Sequence, residues 1–239
     1  MAIEKSDIEW TDYTWNPFQG CHKVSEGCKV CYMFRDKERY GQNPNVVVRS
    51  SKATFNKPLS IKEPSLIFTC SWSDFFIEEA DRWRDECWDI IKKTPQHTYQ
   101  ILTKRPERIL FHTPLTKLDN VWIGTSIESN KHYDRVKHLI PLKCTRFISF
   151  EPLLERIEWR YNYGEVDWII IGAESGYETG KYKFRDCNIE WIIDLANKAS
   201  KDNVKVFVKQ VRINGKLISN PILFPEELKR FREYPERVK

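Results

Sequence analysis

The chain predicts an α/β fold, a partial (βα) TIM-like barrel of about six to seven parallel strands, and three observations predict it. Short apolar runs recur along the sequence, amphipathic helical patterns follow several of them, and each run ends in a knot of polar or charged residues. Near-continuous apolar strands separated by amphipathic helices indicate a parallel sheet covered by helices. In such sheets the ligand site forms at the C-terminal strand ends. Here those ends carry Ser73, Asp74, Lys104, Arg105, Ser126, Glu128, Glu151, Glu174, Lys209 and Gln210. A doubly wound open sheet is the alternative architecture.

Each element can be justified in order. Residues 13–16, just before a cysteine-rich loop, supply an early strand, with a helix over 30–40 behind the cysteines. The first clear strand is 66–70 (LIFTC). The helix after it places Trp83, Cys87, Ile90 and Ile91 on one face at i, i+4, i+7, i+8 spacing. Residues 99–103 form the next strand, and Pro106 stands where a first helical turn tolerates a missing N–H. After the strand 121–125, Ser129 or Asn130 can cap a helix whose Tyr133, Val136, Leu139 and Ile140 share a face. Strands over 146–150 and 168–171 follow, then a helix carrying Ile192, Leu195, Ala196 and Ala199, and a last strand over 204–208.

The 239 residues suit one domain spanning 1–239, with no repeat, low-complexity segment or linker. Residues 211–239 read as a basic C-terminal extension, a solvated face in the plainer reading. The net charge of +5 permits contact with nucleic acid without demanding it. The opening MAIEKSDIEW has no apolar signal region, and no stretch approaches membrane-spanning length. The expectation is a cytoplasmic protein with no membrane contact.

Of seven cysteines, Cys21, Cys28 and Cys31 crowd one short segment. In a reducing compartment such a cluster points to metal or redox chemistry rather than disulfides. Thiolates select iron–sulfur clusters, zinc or copper(I). A cubane held by three protein sulfurs keeps one iron open to another ligand. Gly20 and Gly27 let the loop wrap closely. Zinc with His22 as a fourth ligand competes, although a residue adjacent to Cys21 is awkwardly placed and no second C-x2-C exists.

The run Trp15-Asn16-Pro17 … Gly20-Cys21-His22-Lys23-Val24-Ser25-Glu26-Gly27-Cys28-Lys29-Val30-Cys31-Tyr32 resembles the phage-associated three-Cys-motif family, a radical-SAM-like and largely uncharacterised group. The resemblance continues through Ser73-Asp74-Phe75-Phe76, Leu102-Thr103-Lys104-Arg105-Pro106, Gly124-Thr125-Ser126-Ile127-Glu128, Ser149-Phe150-Glu151-Pro152, Gly172-Ala173-Glu174-Ser175-Gly176 and Val208-Lys209-Gln210. It implies a 4Fe–4S cluster on Cys21, Cys28 and Cys31 that binds and cleaves S-adenosylmethionine to a 5′-deoxyadenosyl radical. The C-x6-C-x2-C spacing departs from the common C-x3-C-x2-C. By analogy Tyr32, Ser71, Ser73, Ser126 and Glu128 would contact S-adenosylmethionine, leaving Glu151, Glu174 and Lys209 for an unknown substrate. The resemblance implies a three-Cys-motif partner protein, and a nucleic acid or nucleotide substrate is compatible with the charge but not selected by the sequence. The alternative is a non-catalytic metal-bearing module that binds nucleic acid or a protein.

Overall fold

The computed structural model describes residues 5–114, 119–160 and 165–236. The elements in chain order are β1 (Tyr13–Trp15), β2 (Phe18–Gln19), α1 (Tyr32–Arg39), β3 (Val48–Arg49), α2 (Lys52–Phe55), β4 (Leu66–Thr69), α3 (Asp81–Lys93), β5 (Thr98–Thr103), α4 (Ile109–His112), β6 (Val121–Ser126), β7 (Thr145–Phe150), β8 (Trp168–Gly172), α5 (Ile189–Lys201), β9 (Lys205–Ile213), β10 (Lys216–Ile218) and α6 (Glu226–Lys229). Among the described residues β1-β4-β5-β6-β7-β8-β9-β10 form one curled half-barrel sheet, and β2 pairs separately with β3. The ladders from β1 to β9 are parallel, while β10 turns back antiparallel on β9.

Strand alternation divides the core in two. One side of the sheet, with Ile67, Ile101, Ile123, Ile148, Ile169 and Val206, packs on Cys87, Ile90 and Ile91 of α3 and Ile192, Leu195 and Ala196 of α5. The other side forms an aromatic floor of Phe68, Trp122, Phe147, Trp168 and Phe207, plugged by Trp10. Continuing the same alternation upward places Lys104, Ser126, Glu151 and Lys209 above that floor at the C-terminal rim.

The helix expected after Ser129 differs in kind. Residues Asn130–His138 form a 3-10 helix with no side-chain cap. The Ser129 hydroxyl is diverted to Glu26 at 2.6 Å, and the Asn130 side chain to Glu155 and the Arg156 carbonyl. With its capping groups occupied by tertiary partners, the segment winds tightly. Ile140 lies exposed rather than on the buried face of Tyr133, Val136 and Leu139.

Residues 211–236 are folded into the molecule. Arg212 lies 3.3 Å over the Phe184 ring and donates to the carbonyls of Gly215 and Glu174. Residues 231–233 run beside β9, with Phe207 bridged to Arg232 and Val208 N donating to Phe231 O. From there Arg232 reaches Glu9 at 2.9 Å and the Tyr234 hydroxyl reaches Glu9 O at 3.2 Å. The gap between β1 and β9 is thereby bridged at the base. Arg237 and Lys239 of the expected basic extension lie outside the described residues.

Candidate metal and anion site

The cysteine loop lies between β2 and α1, over the C-terminal rim. Gly20 adopts φ +98°, and a Cβ there would sit 2.2 Å from Val46 O, so the turn into Cys21 requires glycine. Ser73 Oγ donates to Gly20 O at 2.6 Å. Ser25 donates to Glu128 at 2.8 Å, and Glu26 accepts from Ser129 and pairs with His132 at 2.7 Å. His22 meets Glu79 at 2.5 Å. Gly27 packs so closely on Glu128 that a Cβ would come within 2.3 Å of its Cγ. The loop is therefore clamped on both flanks of its three thiols.

Cys21 and Cys31 pack against one small cluster of Val30, Met33, Phe34 and Tyr182, and Cys28 is buried nearby with Ser25 Oγ at 3.8 Å from its sulfur. Burial and the Asp74 carboxylate push the Cys21 thiol up to about 12, against the pull of Arg105. Burial also raises the Cys31 thiol. Cys28 contributes to the rise at Cys31 and Cys31 to that at Cys21, so the three sulfurs share one electrostatic field. Among the described residues, no three His, Cys, Asp or Glu side chains gather as a site for a single metal ion. A cubane sets a different requirement, because it takes each protein sulfur on a separate iron.

Two consecutive cations that follow β5 straddle the thiols. Arg105 Nη1 lies 3.7 Å from Cys21 Sγ and 3.2 Å from Asp74, while Nη2 donates to His22 O. Asp74 is fixed in turn by the Thr103 hydroxyl and Lys104 N. Burial disfavours the Lys104 ammonium, but Glu128, Cys28 and Cys31 outweigh it and raise its pKa. Lys104 stands 3.4 Å from Glu128, and Arg135 pairs with the same carboxylate at 2.9 Å. Burial opposes ionisation of Glu128, yet Lys104 and Arg135 hold its pKa below the usual value. A cleft of about 570 Å³ opens here, its lining including His22, Lys104, Arg105, Arg108, His132 and Arg135.

The other expected site residues fall into two groups. On the inner face Glu151 pairs with Lys209 at 2.5 Å and accepts from Gln210 at 3.3 Å. Tyr32 donates to Ser71 O at 2.5 Å, and burial raises its pKa, with Cys31 and Glu151 adding to the rise. Ser126 is buried, and its Oγ has no hydrogen-bond partner among the described residues. The remaining groups hold the scaffold. Ser71 Oγ exchanges hydrogen bonds with Asn16, Ser73 serves Gly20, and Glu174 is bound by Arg185 through Nε, Nη2 and the backbone N–H. Arg185 also donates to Glu26 O, tying the loop after β8 to the cysteines.

Sequence reasoning assigned no role to Arg135, His132 or Arg185. They stand outside the strand ends, on loops and a 3-10 turn, where only tertiary packing brings them to the site. The basic pair Lys104-Arg105 at a strand end was the available signal.

No curated protein and no solved structure matches this chain. Residues 5–218, nearly the whole described half-barrel with its cysteine loop, match a family described as a protein of unknown function, DUF5131, and the chain belongs to that family.

Proposed function

We propose that the chain is a radical-SAM-like iron–sulfur enzyme built on an opened relative of the TIM-like barrel, with Cys21, Cys28 and Cys31 as ligands of a 4Fe–4S cluster. The observation that carries this reading is three thiols on one loop clamped at the C-terminal rim, Cys21 and Cys31 packed on one cluster and Arg105 3.7 Å from Cys21. The donor set fits. Three soft sulfurs leave a fourth coordination corner open, and adjacent cations offset the net negative charge of a thiolate-bound cluster. When bound, such a cluster with S-adenosylmethionine supplies one-electron reduction and a hydrogen-abstracting radical.

The chain's own groups orient and shield. The Ser126 hydroxyl, buried and without a hydrogen-bond partner among the described residues, offers a hydrogen bond to a ligand in the barrel mouth. Tyr32, tied by its hydroxyl to Ser71 O, would supply a ring wall. Glu128 holds the ligand loop by accepting from the Ser25 hydroxyl, rather than reaching outward. Lys209 and Glu151 form an ion pair that a substrate anion can divide by taking the ammonium. Ser71, Ser73 and Glu174 act as positioning groups.

The test is anaerobic reconstitution with iron and sulfide. Wild-type protein is expected to take up about four irons and four sulfides per chain and, once reduced with S-adenosylmethionine, to release 5′-deoxyadenosine. Replacing Cys21, Cys28 and Cys31 together with Ala should abolish both. Retention of iron by the triple variant would sink the assignment, as would a loaded wild type that leaves S-adenosylmethionine intact.

A further inference from the structure

We propose that the cleft outside the cysteine loop is a binding site for a small ligand carrying a phosphate or pyrophosphate group, gripped by Lys104 and Arg135. The charge balance at its floor points that way. Two cations converge on one carboxylate, Glu128, leaving an excess of one positive charge. The Glu128 side chain is 0% exposed, whereas Lys104 is 21% and Arg135 12% exposed. The cleft therefore sees the cations and not their counter-ion.

The donors are also unfinished. Arg135 Nη1 serves Ser126 O at 2.7 Å and Glu128 at 2.9 Å, but Nε and Nη2 have no partner among the described residues. Among the described residues the Lys104 ammonium has only the 3.4 Å contact with Glu128 to occupy it. A partly free guanidinium fork beside an ammonium matches the oxygens of a phosphoryl group. Glu128 is itself locked by Ser25 and by the close approach of Gly27, so both cations are held in place before any ligand arrives. Exposed Glu78, Glu79 and Glu107 also line the cleft; Glu79 is paired with His22 and Glu78 with Arg108, so neither draws on Lys104 or Arg135. A cleft of about 570 Å³ admits a ligand of nucleotide size or smaller. The site uses none of the thiols but shares Lys104, which also faces Cys28 and Cys31, so Arg135 is the group that tests it independently of the cluster.

The experiment is calorimetric titration of the full-length protein with inorganic pyrophosphate, with iron content assayed on each sample. Saturable binding is expected, about tenfold or more weaker in Arg135→Gln and in Lys104→Gln. Arg135→Lys should fall between, keeping the charge and losing the fork. Glu107→Gln removes a rim charge without touching the packing and should tighten binding about twofold. Absence of saturable binding up to millimolar pyrophosphate would overturn the proposal. So would equal affinity in wild type, Arg135→Gln and Glu107→Gln, or binding of a single-stranded oligonucleotide with none of pyrophosphate.

Discussion

Arg105 Nη1 donates toward the sulfur of Cys21 from 3.7 Å and is shared with Asp74 at 3.2 Å, while Nη2 is held by His22 O. A hydrogen bond to a cluster sulfur stabilises the reduced, more negative form and raises the reduction potential. Arg105→Gln in the reconstituted protein is accordingly expected to lower the midpoint by about 60 mV, the one-electron equivalent of about 1.4 kcal/mol. A redox titration followed by electron paramagnetic resonance reads this directly, and an unchanged midpoint would remove Arg105 from the cluster's surroundings. Gly27 makes a second expectation at this scale. A methyl group there would overlap the Glu128 side chain at 2.3 Å, so Gly27→Ala should cost about 1–3 kcal/mol in urea unfolding and reduce iron uptake. Normal stability and full loading would show that the loop can sit elsewhere.

At the scale of elements, the segment between β4 and α3 is organised around Asp81. Arg84, buried on α3, reaches Asp81 at 2.5 Å and the carbonyls of Phe75 and Ile77, and Arg108 reaches Asp81 at 2.7 Å and Phe76 O. Burial opposes ionisation of Asp81, but hydrogen bonds from Arg84 and Arg108 outweigh it and depress the carboxyl pKa. A depressed carboxyl pKa contributes stability above the unfolded-state value of about 3.9, and that contribution is lost as pH falls through the folded value. Asp81 is 43% exposed, so solvent screening trims the effect. Asp81→Asn should therefore be less stable by about 1 kcal/mol at neutral pH, with the gap closing below about pH 4. Urea midpoints at the two pH values check it; a gap independent of pH would place the loss in packing.

The elements that sequence reasoning reached are those with a strong period. The apolar runs ending in Cys70, Thr103, Thr125, Phe150, Ile171 and Val208 all became strands of one sheet, and the faces of α3 and α5 pack as their spacing required. Tyr13–Trp15 pairs parallel with β4 as the early strand. Capping at Ser129 failed because a partner 103 residues away, Glu26, competes for the same hydroxyl, and no local pattern reports that. The site was half legible. Strand ends displayed Lys104, Ser126, Glu151 and Lys209, while the scaffold role of Ser73 depends on Gly20, 53 residues away, and that of Glu174 on Arg185, 11 residues on in an irregular loop.

For the whole molecule, the half-barrel has two edges, and its interior is sealed at the base by segments from opposite parts of the chain. Trp168 Nε1 donates to Glu233 O, and Tyr234 packs on both Trp168 and Phe207. Deleting residues 231–239 should uncover the aromatic floor and cost about 3–5 kcal/mol. Chemical denaturation and binding of a hydrophobic dye would show it; an unaltered transition would mean that Trp10 alone suffices as a plug.

That seal has a consequence for how the protein is made. Glu9 and the Tyr234 that fastens to it stand 225 residues apart, so a ribosome releases the first half of the clasp long before the second. Throughout that interval the nascent trough lies open to water and to any chaperone that favours bare indole and phenyl rings, and its closure beneath Trp168 waits for the segment that carries Glu233 and Tyr234.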